Sequence, residues 1–532
     1  MENASHKEVT SLRDIFQITK NNYLTFFILF AIVALAYGNL ARGQFLNMDD
    51  EKGILYNPDI GNVGKMFSSL KLYDMQIATT HLLFGMKPGA FHLVSVFLHF
   101  LTVVTLFIFT YTVFGKEKAL IASLLFASHP LASEAVGWIS AVHYIHLLFF
   151  TLNIFIFHTL FKRTNKKSYY AAEIGIFLLM VILLRNAWVL TVPFSILVFD
   201  QLILGKKFNF KSGLWLIPFF IIAAIFGYRE IFGGFKERVT ALRQDYYYDP
   251  YTATPILNRS PYIIYTIAKL LLWPIPLTVY HEGVYISIVS YIAMIAISLA
   301  IIISAVKLYK KASYVAGLLL LIFIATLPSF SPVAIAWFIA ERYLYMSTAA
   351  FCLILAFLIP YLEKYTGIKY FSRYAVALLL TFYTVRTAIR TQDLLNTSNL
   401  WHATQKVSPY SFRVYNNLGD VYAKEGKYDL AIENFKKSIA LDPSFADAVH
   451  NLGFVYLQKG DYDNAWHYLY ESYKMNPRLY GATYKLGVIA FYKKDYATAK
   501  EMWEKTLELN PGDPNALNAL VTLNNTLAAG EQ

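Results

Sequence analysis

Three consecutive acids, Asp49, Asp50 and Glu51, fall in the stretch FLNMDDEKGILYNPDI at 45–60, a few residues beyond the first long apolar segment. Charges so near a lipid boundary are costly unless they face water, a partner or a cation. Transfer of a sugar to a hydroxyl needs a carboxylate to take the acceptor's proton, a contribution of about 10²–10⁴-fold. Asp49 and Asp50 are placed for that task, and they are also the ligands for a divalent cation if one is used. An N-cap followed by a solvated loop accounts for the same residues without chemistry. Further on, ASLLFASHPLASEAVGWIS at 122–140 sets His129 before Pro130, with Glu134 shortly after. Proline kinks or ends a helix, which leaves His129 and Glu134 at a membrane interface; a lone His-Pro is more often a helix-end device than a ligand. In IAERYLYMS, 339–347, Glu341 and Arg342 open an apolar segment. A guanidinium suits a phosphate through bidentate hydrogen bonds, while an ion pair anchoring the interface explains it equally.

These residues are held by a chain that is 56% hydrophobic and 15% charged, with a mean hydropathy of +0.42. Ordinary soluble domains carry about 25% charged residues, so most of this chain belongs in lipid. The formal charge of +12 is not a nucleic-acid footprint. Residues 412–532 hold 13 Lys+Arg against 15 Asp+Glu, so the basic excess sits in short loops of the apolar part, where it reports topology. No nucleic acid is expected as a partner. The single cysteine, Cys352, lies in an apolar run and rules out an intrachain disulfide and a Cys-based metal site. Ala34-Leu35-Ala36 mimics a signal-peptide cleavage site, but the polar lead before it favours a retained first span.

A helix needs about twenty apolar residues to cross a ~30 Å core. Segments of that kind centre on 24–41, 91–113, 119–138, 141–161, 168–185, 187–204, 213–231, 285–306, 314–331, 343–361 and 373–389. A further run, 261–279, is broken by Pro274 and Pro276. Five basic clusters, Lys116/Lys118, Lys162/Arg163/Lys166/Lys167, Lys206/Lys207/Lys211, Lys307/Lys310/Lys311 and Lys364/Lys369/Arg373, all fall on the cytoplasmic side only when 261–279 is re-entrant. About eleven spans follow, and an odd count puts the C-terminal part outside the cytoplasm, with the acidic stretch and Arg342.

The C-terminal part repeats every 34 residues from Phe412, Ala446 and Tyr480. Leu418/Leu452/Leu486, Gly419/Gly453/Gly487, Tyr428/Tyr462/Tyr496, Ala431/Ala465/Ala499 and Pro443/Pro477/Pro511 recur in register. This is the tetratricopeptide pattern: small residues let paired helices approach, and proline ends the second helix. Residues 514–528 suit a solvating cap helix, and 391–411 a bridging half-repeat. The expected fold is therefore all-α, a polytopic helical bundle over 1–390 followed by a solenoid over 412–532 (412–445, 446–479, 480–513 and the cap). Such a surface recruits a protein or peptide, or serves as a spacer.

The motifs MDD-x5-YNPDI, LLFGMKP-x3-HL, ASLLFA-x-HP-x3-EAV, LNRSPYIIYTIAKLLLWPIPL and AERYLY, in this order and followed by repeats, resemble the transmembrane and tetratricopeptide-repeat O-mannosyltransferases and their prokaryotic relatives, of the C-type glycosyltransferase fold. The resemblance covers nearly the whole chain. It implies a sugar taken from a polyprenyl-phosphate donor at the extracytoplasmic face and transferred with inversion. It also implies Asp49 and Asp50 in the active site, one of them the base or a cation ligand. Arg342, with Arg185 or Arg259, would hold the donor phosphate; Glu51, His129, Glu134, His143 and Glu341 would support them. The chain departs from the family at three places. It reads SSLKLYDMQ at 68–76 where an Arg-Pro pair is usual, Ala141-Val142-His143-Tyr144 in place of Gly-Arg-x-Asp, and Arg185-Asn186 in place of Lys-Glu. These lost charges bear on the donor sugar and on whether catalysis is kept, so mannose specificity is not carried over. A non-catalytic membrane scaffold is the chief rival reading. A transporter would need polar residues at the bilayer midplane and duplicated halves, neither of which the sequence has. Compact length and few repeats point to a prokaryotic plasma membrane rather than the endoplasmic reticulum.

Overall fold

The computed structural model of the chain describes residues 8–205, 213–228, 256–281, 286–330 and 337–530. Lys206, Lys207, Lys211 and most of 228–284 lie outside the described residues. Among the described residues the secondary structure is helical throughout, and the chain divides into two compact units, with the boundary after Leu400.

In the first unit, the long apolar runs become helices because nothing but their own carbonyls can satisfy backbone N–H groups in hydrocarbon. Six helices are long and apolar enough to cross a membrane among the described residues: Tyr23–Arg42, Pro88–Phe114, Ile139–Thr164, Lys167–Leu184, Ile288–Lys311 and Glu341–Thr366. A seventh crossing is formed if Lys116–Ala127 and Pro130–Gly137, bent by 55° at a break, count as one. The expected eleven spans are not all of this kind. The segments at 187–204, 213–231 and 314–331 are the shorter helices Ala187–Ile203, Leu214–Tyr228 and Ser313–Ala325. The segment at 373–389 is the helix Phe371–Asp393, which carries Arg373, Arg386, Arg390 and Asp393. At 261–279, the helix Ile256–Leu272 stops before the two prolines. Burial sorts the spans: 72% of the Ile139–Thr164 window is enclosed, against 6% for Ile288–Lys311. The latter turns Ile292, Leu299, Ile302 and Val306 outward, as a lipid-facing helix does.

One end of this unit is basic. Arg163 Nη1 donates to Val9 O at 2.9 Å and Thr112 O at 3.0 Å, and its Nε lies 3.1 Å from Glu8. Lys118 sits 6.0 Å from the ring of Phe357, near the end of the helix Tyr345–Thr366. The beginning of the described chain and three of the basic clusters thus lie at one end. There His158 bridges Glu173 at 3.0 Å and Asp200 at 3.2 Å, and Lys162 reaches Asp200 at 3.0 Å.

The opposite end carries residues 42–90, which fold rather than dangle. Short helices Val63–Ser68 and Leu72–Phe84 pack Met66, Ile77 and Ala78 with Ile54, Phe91 and Ile139 into a separate apolar core. Gln44 N donates to Leu395 O at 2.7 Å, and His92 Nε2 bonds Gln44 O at 3.1 Å, pinning the start of this segment to two helices.

The second unit is a run of helix pairs, Phe412–Lys424 with Tyr428–Leu441, Ala446–Gln458 with Tyr462–Met475, and Tyr480–Tyr492 with Tyr496–Leu509, closed by Pro514–Gly530. Residues 391–411 hold the helix Thr397–Val407, and the division between the units falls inside it. Each pair closes over its recurring glycine. A Cβ at Gly487 would lie 2.5 Å from Trp503 Nε1, and one at Gly419 2.6 Å from the Phe435 ring. Gly487→Ala is therefore expected to lower the repeats' stability by about 1–3 kcal/mol through overpacking, read as a fall in the thermal unfolding midpoint by intrinsic fluorescence.

Candidate functional site

The first helix of the bundle ends at Tyr37, continues as a tighter turn through Gly38–Arg42, and delivers the chain to Asp50 just before a wide turn at Glu51–Leu55. Asp50 is fully buried, whereas its neighbour Asp49 is exposed. Asp50 Oδ1 accepts from Ser140 N at 3.0 Å and Ser140 Oγ at 2.6 Å; Oδ2 accepts from Leu46 N at 3.4 Å. Tyr73 Oη is 2.9 Å from Ser140 Oγ. Because the Ser140 hydroxyl proton points to Asp50, Tyr73 donates, and a relay Tyr73–Ser140–Asp50 results. Burial pushes the Asp50 carboxyl up from its ordinary 3.8 to about 6, against the hydrogen bonds from Ser140 and Leu46, with a small further rise from the Asp49 charge. A carboxylate with such a value is poised to take a proton near neutral pH.

Ser140 belongs to the turn that links the bent pair to the helix His143–Thr164. Pro130 breaks the pair, and His129 Nδ1 accepts from Leu131 N at 3.3 Å while its ring lies against Tyr383, centroids 4.4 Å apart. His129 thus caps a helix inside the core and does not reach Asp50. The short helix Ser133–Gly137 then brings Glu134 to Arg342. Glu134 Oε2 accepts from Arg342 N at 2.9 Å and Oε1 from Arg342 Nη1 at 2.5 Å. The guanidinium carbon lies 4.7 Å from the ring centroid of Trp138 and 5.0 Å from those of Trp337 and Tyr343. Such a cage of rings favours a planar cation.

Glu341, next in the chain, turns the other way. It accepts from Thr278 N, and its Oε2 lies 3.5 Å from Arg390 Nη2, while Arg390 Nη1 is 3.1 Å from Asp393. His143 Nδ1 donates to Ser140 O at 3.1 Å, and its ring lies tilted against Tyr144, centroids 4.1 Å apart, which in turn meets Tyr343 and Trp188. One continuous set of contacts therefore runs from Tyr73 and Asp50 through Ser140 and His143 to the rings around Arg342, and on through Glu134, Glu341 and Arg390.

The structure thus brings together Asp50, Glu134, His143, Glu341 and Arg342 of the residues that the sequence singles out. The remaining residues of that set lie as follows. Arg185 is exposed at the end of the helix Lys167–Leu184, at φ +45°. Arg259 is buried within the helix Ile256–Leu272. Glu51 is half-buried in the turn after Asp50. Asp49 is exposed, and both Asp50 oxygens accept hydrogen bonds. Among the described residues no group of three or more His, Cys, Asp or Glu could hold a metal ion. Sequence reasoning missed Ser140, Tyr73 and Arg390. Only Arg390 left a signal, an arginine inside an otherwise apolar segment, which needs a partner.

Models for "TPR repeat" and "Tetratricopeptide repeat" match residues 419–460 and 446–479. Protein O-mannosyl-transferase F38B6.6 of Caenorhabditis elegans is 26% identical over 463 residues, covering 79% of this chain and 63% of that protein. The chain is similar to this protein O-mannosyl-transferase over most of its own length. Human protein O-mannosyl-transferase TMTC1 is 22% identical, covering 78% of this chain and 55% of its own. The chain thus spans less than two thirds of the length of these relatives. An Archaeoglobus fulgidus oligosaccharyltransferase solved with a tethered acceptor peptide aligns at 14% identity and a TM-score of 0.33, over 68% of this chain and 50% of that one. Against the family pattern, two of the three departures fall on the site. His143 and Tyr144 lie between Asp50 and Arg342, and Asn186 caps the turn that holds Trp188 against Tyr343.

Proposed function

We propose that the chain is a membrane glycosyltransferase that moves a sugar from a polyprenyl-phosphate donor to a hydroxyl on a protein. The observation that carries this reading is the buried Asp50 carboxylate, joined by one turn of chain to a caged arginine at the non-basic end of the bundle. In the reaction, Asp50 takes the proton of the acceptor hydroxyl. The freed oxygen bonds to the anomeric carbon while that carbon's bond to the phosphate oxygen breaks, and the polyprenyl phosphate leaves with the electron pair. A single displacement of this kind inverts the anomeric carbon. Arg342 supplies positive charge where the leaving phosphate gains negative charge, the electrostatic contribution that is often largest. Glu134 and the rings fix the guanidinium, and Glu341, held by Thr278 and Arg390, fixes the turn. Arg342 is the cation that this reading uses; Arg185 is exposed and Arg259 is buried in its own helix. The repeats recruit the acceptor polypeptide from the extracytoplasmic side, the side that the basic loops support.

The test is incubation of the purified chain in lipid nanodiscs with polyprenyl-phosphate sugars and Ser/Thr peptides, with mass spectrometry of the products. No product with any donor would favour the scaffold reading, for which the lost family charges and the prior commitment of Arg342 to Glu134 already speak.

The pH profile is a finer test. A base must be ionised to act, so the rate is expected to fall on the acid side of about pH 6, tenfold for each pH unit. Ser140→Ala removes a hydrogen bond that favours the ionised form, so that limb should move to higher pH by about one unit. A profile that is flat across this range, or one that Ser140→Ala leaves in place, would remove Asp50 as the titrating group.

A further inference from the structure

In the displacement, the anomeric carbon stands between the attacking oxygen at Asp50 and the leaving phosphate at Arg342. The sugar ring must then lie along whatever joins those two residues. Here that is a short run of rings. His143 Nδ1 donates to Ser140 O at 3.1 Å, and Ser140 in turn bonds Asp50 through its N and Oγ. The His143 ring meets Tyr144, centroids 4.1 Å apart, and Tyr144 meets Trp188 at 5.6 Å and Tyr343 at 5.8 Å. Trp188 and Tyr343 are 4.9 Å apart, and the Arg342 guanidinium carbon lies 5.0 Å from the Tyr343 centroid.

Tyr144 is buried, whereas His143, Trp188 and Tyr343 are half-buried. Three partly uncovered rings around a buried one make a platform for the C–H face of a pyranose, which packs on aromatic rings as other apolar surface does. An aromatic belt at the membrane surface also leaves rings half-exposed, with the polar edge of each turned to headgroups and water. Trp188 is held differently. Its Nε1 donates to Ala325 O at 3.0 Å, and its backbone N donates to Asn186 Oδ1 at 3.0 Å, so protein takes both of its N–H groups.

His143 adds a polar atom to the platform. With Nδ1 bearing the proton for Ser140 O, the neutral imidazole offers Nε2 as an acceptor. Among the described residues no other group bonds that nitrogen. Ser140 Oγ cannot take this role, being engaged by Asp50 and Tyr73. An acceptor beside aromatic rings suits a hydroxyl flanked by C–H groups, the pattern that a hexose ring presents.

We infer that His143, Trp188 and Tyr343 form the donor-sugar subsite, that they hold a hexose with one hydroxyl donating to His143 Nε2, and that His143 sets the donor preference. This rests on the reading that the chain transfers a sugar from a lipid carrier.

The test is binding by the full chain in nanodiscs of polyprenyl phosphate, either bare or bearing mannose, glucose or a monodeoxy form of either. The better hexose carrier should bind about tenfold tighter than the bare one, and one of its monodeoxy forms should lose about tenfold, the worth of one hydrogen bond. His143→Phe should bind that form and the full hexose alike. Trp188→Leu should bring the hexose carrier close to the bare one, whose own affinity stays in place. Each readout is a ratio of two ligands on one protein, which a general loosening of the fold does not move; helicity and unfolding midpoint check that both variants fold. A hexose that adds nothing to the bare carrier, equal binding of all monodeoxy forms by the parent chain, or discrimination that survives His143→Phe overturns the subsite. Sugar transfer seen alongside any of these leaves the glycosyltransferase reading standing without it. If no carrier binds and no donor is transferred, that reading fails and the subsite with it.

Discussion

Asp50→Asn is expected to cut sugar transfer by about 10²–10⁴-fold, the contribution of a general base, while the chain still accumulates in membranes with an unchanged unfolding midpoint. The second half of this expectation follows from burial. Asp50 is fully enclosed, and its carboxyl is pushed up to about 6, so the fold works against its negative charge rather than depending on it. Asparagine keeps an acceptor for Ser140 N and Oγ, removes the charge, and gives up only the long 3.4 Å bond from Leu46 N. A loss of transfer without a loss of stability therefore isolates the proton-accepting role. Asp49→Asn is the matching control, because Asp49 is exposed and acts on Asp50 only through its charge. Its removal lowers the Asp50 pKa and shifts the acid limb of the rate profile to lower pH. Full activity in Asp50→Asn, measured by product mass spectrometry, would take the acidic stretch out of the mechanism.

The repeats were legible because their signal is local and periodic. Gly419, Gly453 and Gly487 recur where helices must touch, and a Cβ at any of them meets a neighbouring side chain at 2.8 Å or less. Apolar length marked the bundle, but it does not tell a continuous span from a broken one. The stretch 187–203 passes through a tight turn, a short α-helix and a wide turn. Within the site, Asp50, Glu134, Glu341 and Arg342 stood out because charges at span ends need partners. Their pairings did not. Ser140 is 90 residues from Asp50, and no composition or spacing distinguishes it from other serines. Arg185 and Arg259 were assigned from charge and family position; the fold leaves the first exposed and buries the second within the helix Ile256–Leu272. The segment 42–90 reads as a loop because its apolar residues, Ile54, Met66 and Ile77, are too sparse for a span; they make a small core of their own.

Glu134→Gln is expected to destabilise the bundle by about 3–5 kcal/mol, because it strands the Arg342 charge in a buried site. The pair is enclosed, with side-chain exposures of 6% and 1%, so water cannot take over the lost interaction. Arg342→Met should cost a similar amount, since it leaves Glu134 facing the Glu341 charge with no cation between them. Arg390 cannot compensate, being held between Glu341 and Asp393. The double variant Glu134→Gln/Arg342→Met removes both charges, and most of the stability should return, so in thermal unfolding it should cost less than either single variant rather than their sum. Transfer should not return with it, because the positive charge at the leaving phosphate is gone. Arg342→Lys completes the set. It keeps the charge opposite Glu134 but loses the planar group held by Trp138, Trp337 and Tyr343, so the fold should persist while transfer falls. If the double variant were both stable and active, Arg342 would be an anchor of the bundle only, and the donor phosphate would have to be met by another cation.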